Sequence, residues 1–134
     1  MTPANSEKML VRNSGDILLV RQAVRACSVE LGFSLVDQTK MVTADSELAR
    51  NTVDYGGGGH VVFQTLNDNG RRGLRLTFED QGPGIPDVTL ALKDGWTSGN
   101  GLGLGLSGAK RLVNDFHIES KVGAGTKVVI TRWK

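Results

Sequence analysis

The sequence predicts an α/β two-layer sandwich, a mixed and mostly antiparallel sheet with helices on one face. Three observations carry that prediction. Apolar residues recur at helical spacing over two long stretches near the N-terminus; β-branched segments alternate on either side of an Asn-Gly step; and helical and extended stretches follow one another as β-α-α-β-β-α-α-β-β. Adjacent hairpins make antiparallel pairs, and the helices between them need a common sheet face.

Taken in order, Lys8 to Asn13 reads as a short strand after a flexible N-terminus at 1–7, and residues 8–134 read as one domain. Ser14-Gly15-Asp16 is a turn with an N-cap, after which Ile17, Val20, Val24, Cys27 and Leu31 fall at helical spacing until Gly32. Phe33 to Tyr55 reads as a second helix entered through Ser34 or Asp37 and halted by Gly56 to Gly59. Val61 to Leu66 and Leu74 to Glu79 flank Asn67-Asp68-Asn69-Gly70 and should form a hairpin. Pro86 to Lys93 reads as a short helix, Asp94 to Gly105 as a polar glycine-rich loop, and Leu106 to Phe116 as another helix. His117 to Val122 and Lys127 to Trp133 are strands joined at Gly123-Ala124-Gly125.

The totals narrow the function. The chain has 134 residues, 39% of them apolar and 22% charged, enough for one core. A net charge of +2, with 16 basic against 14 acidic residues and no long basic run, argues against nucleic acid or a membrane surface as partner. The single cysteine, Cys27, has no intramolecular disulfide partner and reads as a core residue. MTPANSEK has neither the basic nor the apolar segment of a signal peptide, and no apolar run approaches the roughly 20 residues that cross a bilayer. The protein reads as cytoplasmic.

Four patches can carry chemistry. Glu47 and Asn51 sit one helical turn apart on one face, so an acid and an amide point at one place, although a solvated helix face explains the pair as well. Asp80-Gln81-Gly82-Pro83-Gly84-Ile85 puts a carboxylate at a strand end before bare backbone, which suits a flat base with an amino group or a plain turn. Gly99 to Leu106 brings unhindered backbone N–H groups to a helix start, a natural site for phosphate oxygens. Gly103 to Gly108 also fits G-x-G-x-x-G, but that fingerprint needs a strand just upstream, and a polar loop stands there instead. No Gly-Lys-Ser or Gly-Lys-Thr occurs. Gly123-Ala124-Gly125-Thr126 by itself is a hairpin turn.

Taken together and in order, Glu47-x-x-x-Asn51, Asp80-x-Gly82-x-Gly84, Gly101-x-Gly103-Leu104-Gly105-Leu106 and Gly123-x-Gly125-Thr126 resemble the N, G1, G2 and G3 boxes of the GHKL ATPases, whose Bergerat fold is an α/β sandwich. The resemblance implies ATP and Mg²⁺ as cofactors. It implies that Asn51 helps to ligate Mg²⁺, that Asp80 binds the adenine amino group, and that Gly82, Gly84 and Ile85 shape the adenine pocket. It further implies that Gly101, Leu102, Gly103, Leu104 and Gly105 form a lid over the phosphates, with Trp96 packing it, and that Thr126 supports Asp80 and the adenine. Glu47 would be the general base.

Both histidines, His60 and His117, lie in predicted strands, and no His-Gly-Gly turn follows the last helix, which weakens a histidine-kinase reading. Phe33 to Gln38, Ser46 to Asn51, Glu79 to Asp87, Lys110 to Leu112 and Ile130 to Lys134 look like the RsbT-type serine/threonine kinases of bacterial partner-switching systems. That resemblance implies a STAS-domain antagonist protein as substrate and a PP2C-type phosphatase as a second partner. Arg50 would help to position phosphate or partner, or else form an ion pair with Glu47 or Asp54. The alternative is a nucleotide-dependent binding protein, such as an anti-sigma factor that holds a sigma factor without phosphotransfer.

Overall fold

The computed structural model describes residues 2–93 and 105–134. Its elements are β1 (Thr2–Val11), α1 (Ser14–Glu30), α2 (Leu35–Asp54), β2 (Gly59–Asp68), β3 (Arg71–Asp80), α3 (Val88–Ala91), α4 (Leu106–Arg111), β4 (Asp115–Lys121) and β5 (Gly125–Trp133). The order of types is the one read from periodicity. The strands form one sheet, β1-β2-β3-β5-β4.

Every neighbouring pair is antiparallel, so the sheet is not mixed. The reason lies in the last crossover. The chain leaves β3, passes through α3 and α4, and enters β4 at the edge; the β4–β5 hairpin then returns β5 into the gap beside β3. β3 and β4 run in the same direction but never touch as neighbours, because β5 separates them.

Local chemistry sets the element ends. Asn13 caps α1 by accepting from the Asp16 amide at 2.9 Å, and Arg12 pairs with Asp16 at 3.1 Å. The residues read as the end of the first strand thus serve the helix instead. At the other end the strand begins at Thr2 rather than Lys8, because residues of the expected flexible N-terminus find partners along β2. Ser34, not Asp37, caps α2. Asn69 and Gly70 both have positive φ, 53° and 87°, which makes the β2–β3 connection a two-residue type I′ turn.

The helix after the glycine loop ends at Arg111 rather than Phe116. Asn114 is already engaged by β5: its amide donates to the Thr131 carbonyl at 3.0 Å, and its side-chain oxygen accepts from the Trp133 amide at 2.7 Å. Strand pairing from Asp115 onward therefore wins over helical continuation.

One sheet face is covered. Leu74, Leu76 and Phe78 of β3 and Val128 and Ile130 of β5 are buried with Val20 and Val24 of α1 and Met41, Ala44 and Leu48 of α2. Each fully buried side chain of this size contributes about 1.5–3 kcal/mol. Arg132 of β5 ties the layers at the rim, donating to Asp37 of α2 at 2.6 Å and to the Leu112 carbonyl at 2.8 Å. The guanidinium holds the Asp37 carboxyl below the usual carboxylate range. Among the described residues, no helix is long and apolar enough to cross a membrane.

Asp45 of α2 departs from the apolar pattern. It is fully buried, and neither carboxylate oxygen has a hydrogen-bond partner among the described residues. Burial pushes its pKa up from 3.8 to about 7, against the pull of Arg21. The unfolded chain therefore ionises first as the pH rises, and the folded state loses stability from about pH 4 until the folded pKa is passed, by about 4 kcal/mol in all. Urea titrations should show the native chain losing roughly 2.5 kcal/mol more between pH 5 and pH 8 than Asp45→Asn, in which this titration is absent. Equal losses would mean that Asp45 is solvated or paired.

Candidate functional site

The site lies where the C-terminal half of α2 faces the ends of β3 and β5. Glu47, Asn51 and Tyr55 recur every four residues and so share one side of α2. Opposite them the β3–β5 ladder sets Asp80 across from Thr126, and the β5–β4 ladder sets Thr126 across from Ser120. Since paired residues of neighbouring strands project to the same face, Ser120, Thr126 and Asp80 form a polar row.

A narrow cleft of about 20 Å³ opens between these elements. Its apolar wall is Leu48, Phe78, Ile85, Leu106 and Val128, and its polar lining includes Asn51, Asp80 and Thr126. Few polar groups among apolar walls is the build of a small-molecule pocket. Asp80 is 9% exposed, and its Oδ1 accepts from the Gly82 amide at 2.9 Å. Burial raises its pKa, while the Gly82 and Thr126 amides oppose the rise. A carboxylate held in this way, with lone pairs to spare, suits the amino group of a flat base.

The loop after Asp80 is fastened at three points. The Tyr55 hydroxyl donates to the Gly84 carbonyl at 3.1 Å, the Gly123 amide donates to the Pro83 carbonyl at 2.9 Å, and the Ile85 amide donates to Ser120 Oγ at 2.7 Å. Gly84 has φ +77°, and a Cβ there would overlap the Lys121 carbonyl. The fastening thus depends on a residue without a side chain.

At the outer end of the cleft, Glu47 is half-buried and stands against Gly105, the residue preceding α4. Gly105 has φ +65°, and a Cβ on it would overlap the Glu47 carboxylate. The acid therefore lies directly beside the end of the glycine-rich segment. Gly101, Leu102, Gly103 and Leu104 lie outside the described residues, as does Trp96.

The structure brings Asn51, Asp80, Ile85 and Thr126 together as pocket lining, with Gly82 and Gly84 in the loop above and Glu47 and Gly105 at its edge. Arg50 is not gathered in. It is exposed and makes no ion pair among the described residues, so the pair with Glu47 or Asp54 is not formed. Reading the sequence missed Tyr55 and Ser120. Tyr55 follows Asn51 at the same helical interval, a signal that was available, whereas nothing in the sequence set Ser120 apart.

Residues 36–134 match the family described as histidine kinase-, DNA gyrase B-, and HSP90-like ATPase. The chain is 45% identical over 118 residues to the serine/threonine-protein kinase RsbT of Bacillus subtilis (strain 168), covering 88% of this chain and 89% of that protein. Among solved structures, it resembles the RsbU and RsbW domains of a Mycobacterium tuberculosis protein, with a TM-score of 0.66 and 21% identity over 99% of this chain and 34% of the other. SiaB in the SiaB-SiaC complex of Pseudomonas aeruginosa (TM-score 0.55, 12% identity, 98% of this chain and 91% of the other) and the catalytic domain of histidine kinase ThkA (0.53, 12%, 96% and 95%) share the fold.

The fastened loop is open to a direct test. Gly84→Ala should lower the stability of the chain by at least about 2 kcal/mol in urea unfolding, the sum of a left-handed backbone penalty and displacement of the β4–β5 hairpin. A loss below about 0.5 kcal/mol would show that the loop and hairpin separate freely.

Proposed function

We infer the function of this chain from its family: it belongs to the histidine kinase-, DNA gyrase B-, and HSP90-like ATPases, and within them to the RsbT-type serine/threonine kinases. It is an ATP-using protein kinase of a partner-switching system. The observation that carries the assignment to particular residues is the pairing of Asp80 with Thr126 in an apolar cleft that has Glu47 at its edge.

Adenine lies in the cleft with its amino group on Asp80, its ring against Ile85 and the loop of Gly82 and Gly84, and Thr126 supporting the same edge. The phosphates extend toward Gly105 and the glycine-rich segment before it, where backbone amides meet their charge. Asn51, which lines the cleft one turn along α2 from Glu47, would hold Mg²⁺, and the metal would neutralise charge on the transferred phosphoryl group. The fit is supported by the bare backbone at Gly105, where a side chain would fill the space beside Glu47.

Glu47 takes the proton from the hydroxyl of the substrate serine or threonine as that oxygen bonds to the γ-phosphorus of ATP and the bond from that phosphorus to the bridging oxygen breaks, with ADP as the leaving group. Its half-exposed position lets a hydroxyl on another protein reach it. Arg50, exposed one turn further along α2, meets the partner or its phosphate. The substrate is a STAS-domain antagonist protein, and a PP2C-type phosphatase is the second partner, which the chain activates once released. A kinase drawing on the ATP pool works in the cytoplasm.

Transfer of labelled phosphate from Mg-ATP to a STAS protein encoded beside this chain checks the assignment. Glu47→Gln should reduce transfer by about 10²–10⁴-fold with ATP affinity unchanged. Transfer at the native rate would remove Glu47 from the chemistry, and no transfer by the native chain despite ATP binding would leave a nucleotide-dependent binding protein. Asp80→Asn should weaken ATP binding at least about tenfold in calorimetry, and unchanged affinity would displace the adenine from this cleft.

A further inference from the structure

We propose that Ser120 positions the Thr126 hydroxyl and thereby makes the pocket selective for adenine over purines that carry a keto oxygen at the same edge. The proposal rests on the assignment of adenine to this cleft. Ser120 lies on β4 directly across the ladder from Thr126, which lies directly across from Asp80.

The hydrogen bonds around Ser120 can be counted. A serine hydroxyl has one proton and two lone pairs. The Ile85 amide donates to Ser120 Oγ at 2.7 Å, the Gly125 carbonyl, which only accepts, is 3.2 Å away, and Thr126 Oγ1 is 2.7 Å away. One arrangement satisfies all three: Ser120 donates to Gly125 and accepts from both Ile85 and Thr126. The Thr126 proton is then engaged by Ser120, and Thr126 turns only lone pairs toward the cleft.

Asp80, beside it, also accepts. Its carboxylate already takes the Gly82 amide at 2.9 Å, a donor that favours the ionised form. The polar edge of the cleft is thus built from acceptors. The exocyclic amino group of adenine brings two N–H donors to such an edge, whereas the oxygen of guanine or hypoxanthine in the same place would set an acceptor against the Asp80 carboxylate and the Thr126 oxygen. With Ser120 absent, the Thr126 hydroxyl is free to rotate and donate, and the penalty on the keto oxygen falls.

Calorimetric titration of the full chain with the magnesium salts of ATP, GTP and ITP tests this. Ser120→Ala should lower the preference for ATP over ITP by about tenfold. Ser120→Cys, which keeps the side-chain size but bonds feebly, should do the same, and guards against failure of the alanine variant to fold. Ser120→Thr, which keeps the hydroxyl, should retain the native preference. Because Ser120 acts through Thr126, Ser120→Ala combined with Thr126→Val should show the same ATP to ITP ratio as Thr126→Val alone. If Ser120→Ala and Ser120→Cys weaken all three nucleotides by one factor, Ser120 merely fastens the loop and the proposal falls while adenine stays in the cleft. If the native chain binds ITP as tightly as ATP, the proposal falls together with the assignment it rests on.

Discussion

The register of β3 against β5 is the constraint on which the site depends. It sets Asp80 opposite Thr126, and because residues of one strand alternate between faces, a slip of one position would turn Asp80 to the other side of the sheet. The register is held along its length by the apolar pairs Leu76 with Ile130 and Phe78 with Val128, all buried on the helix-covered face. The core that stabilises the domain therefore also aims the carboxylate. Packing and recognition draw on the same ladder.

α2 supplies the opposite wall by an equally simple rule. One side of the helix carries Met41, Ala44 and Leu48 into the core, and the adjoining side carries Glu47, Asn51 and Tyr55 along the cleft. The clamp of Arg132 on Asp37 fixes the start of this helix to the sheet, and Tyr55 fixes its end to the loop after Asp80. Held at both ends, the helix keeps Glu47 at a set distance from the row on the sheet. Preorganisation of this kind is what a transfer between two bound molecules requires.

Buried carboxyls mark two different uses of unfavourable chemistry in one small domain. Asp80 is desolvated but keeps backbone donors, so its charge is supported where a ligand would meet it. Asp45 is desolvated with no hydrogen-bond partner for either oxygen among the described residues, and no ligand-binding role for it follows from its surroundings between Arg21 and the core. The contrast shows why a perturbed carboxyl by itself does not identify a site.

Much of this molecule was legible from the order of residues. Helical and alternating periodicities depend only on which neighbours along the chain are apolar, so the order of the described elements could be read directly, as could the Asn69-Gly70 turn, whose backbone few other residues adopt. The ordered boxes around Glu47, Asp80, Gly105 and Gly125 likewise named the family and, of the residues that line the cleft, Asn51, Asp80, Ile85 and Thr126. What the order of residues could not decide was anything settled by competition between distant segments. The extension of β1 back to Thr2 depends on partners in β2, the early end of α4 on the grip of β5 on Asn114, and the purely antiparallel sheet on the insertion of β5 between β3 and β4. The place of Ser120, between Ile85 and Thr126, also exists only once three segments far apart along the chain have met, because a hydrogen bond needs atoms in reach and the sequence alone does not bring them there.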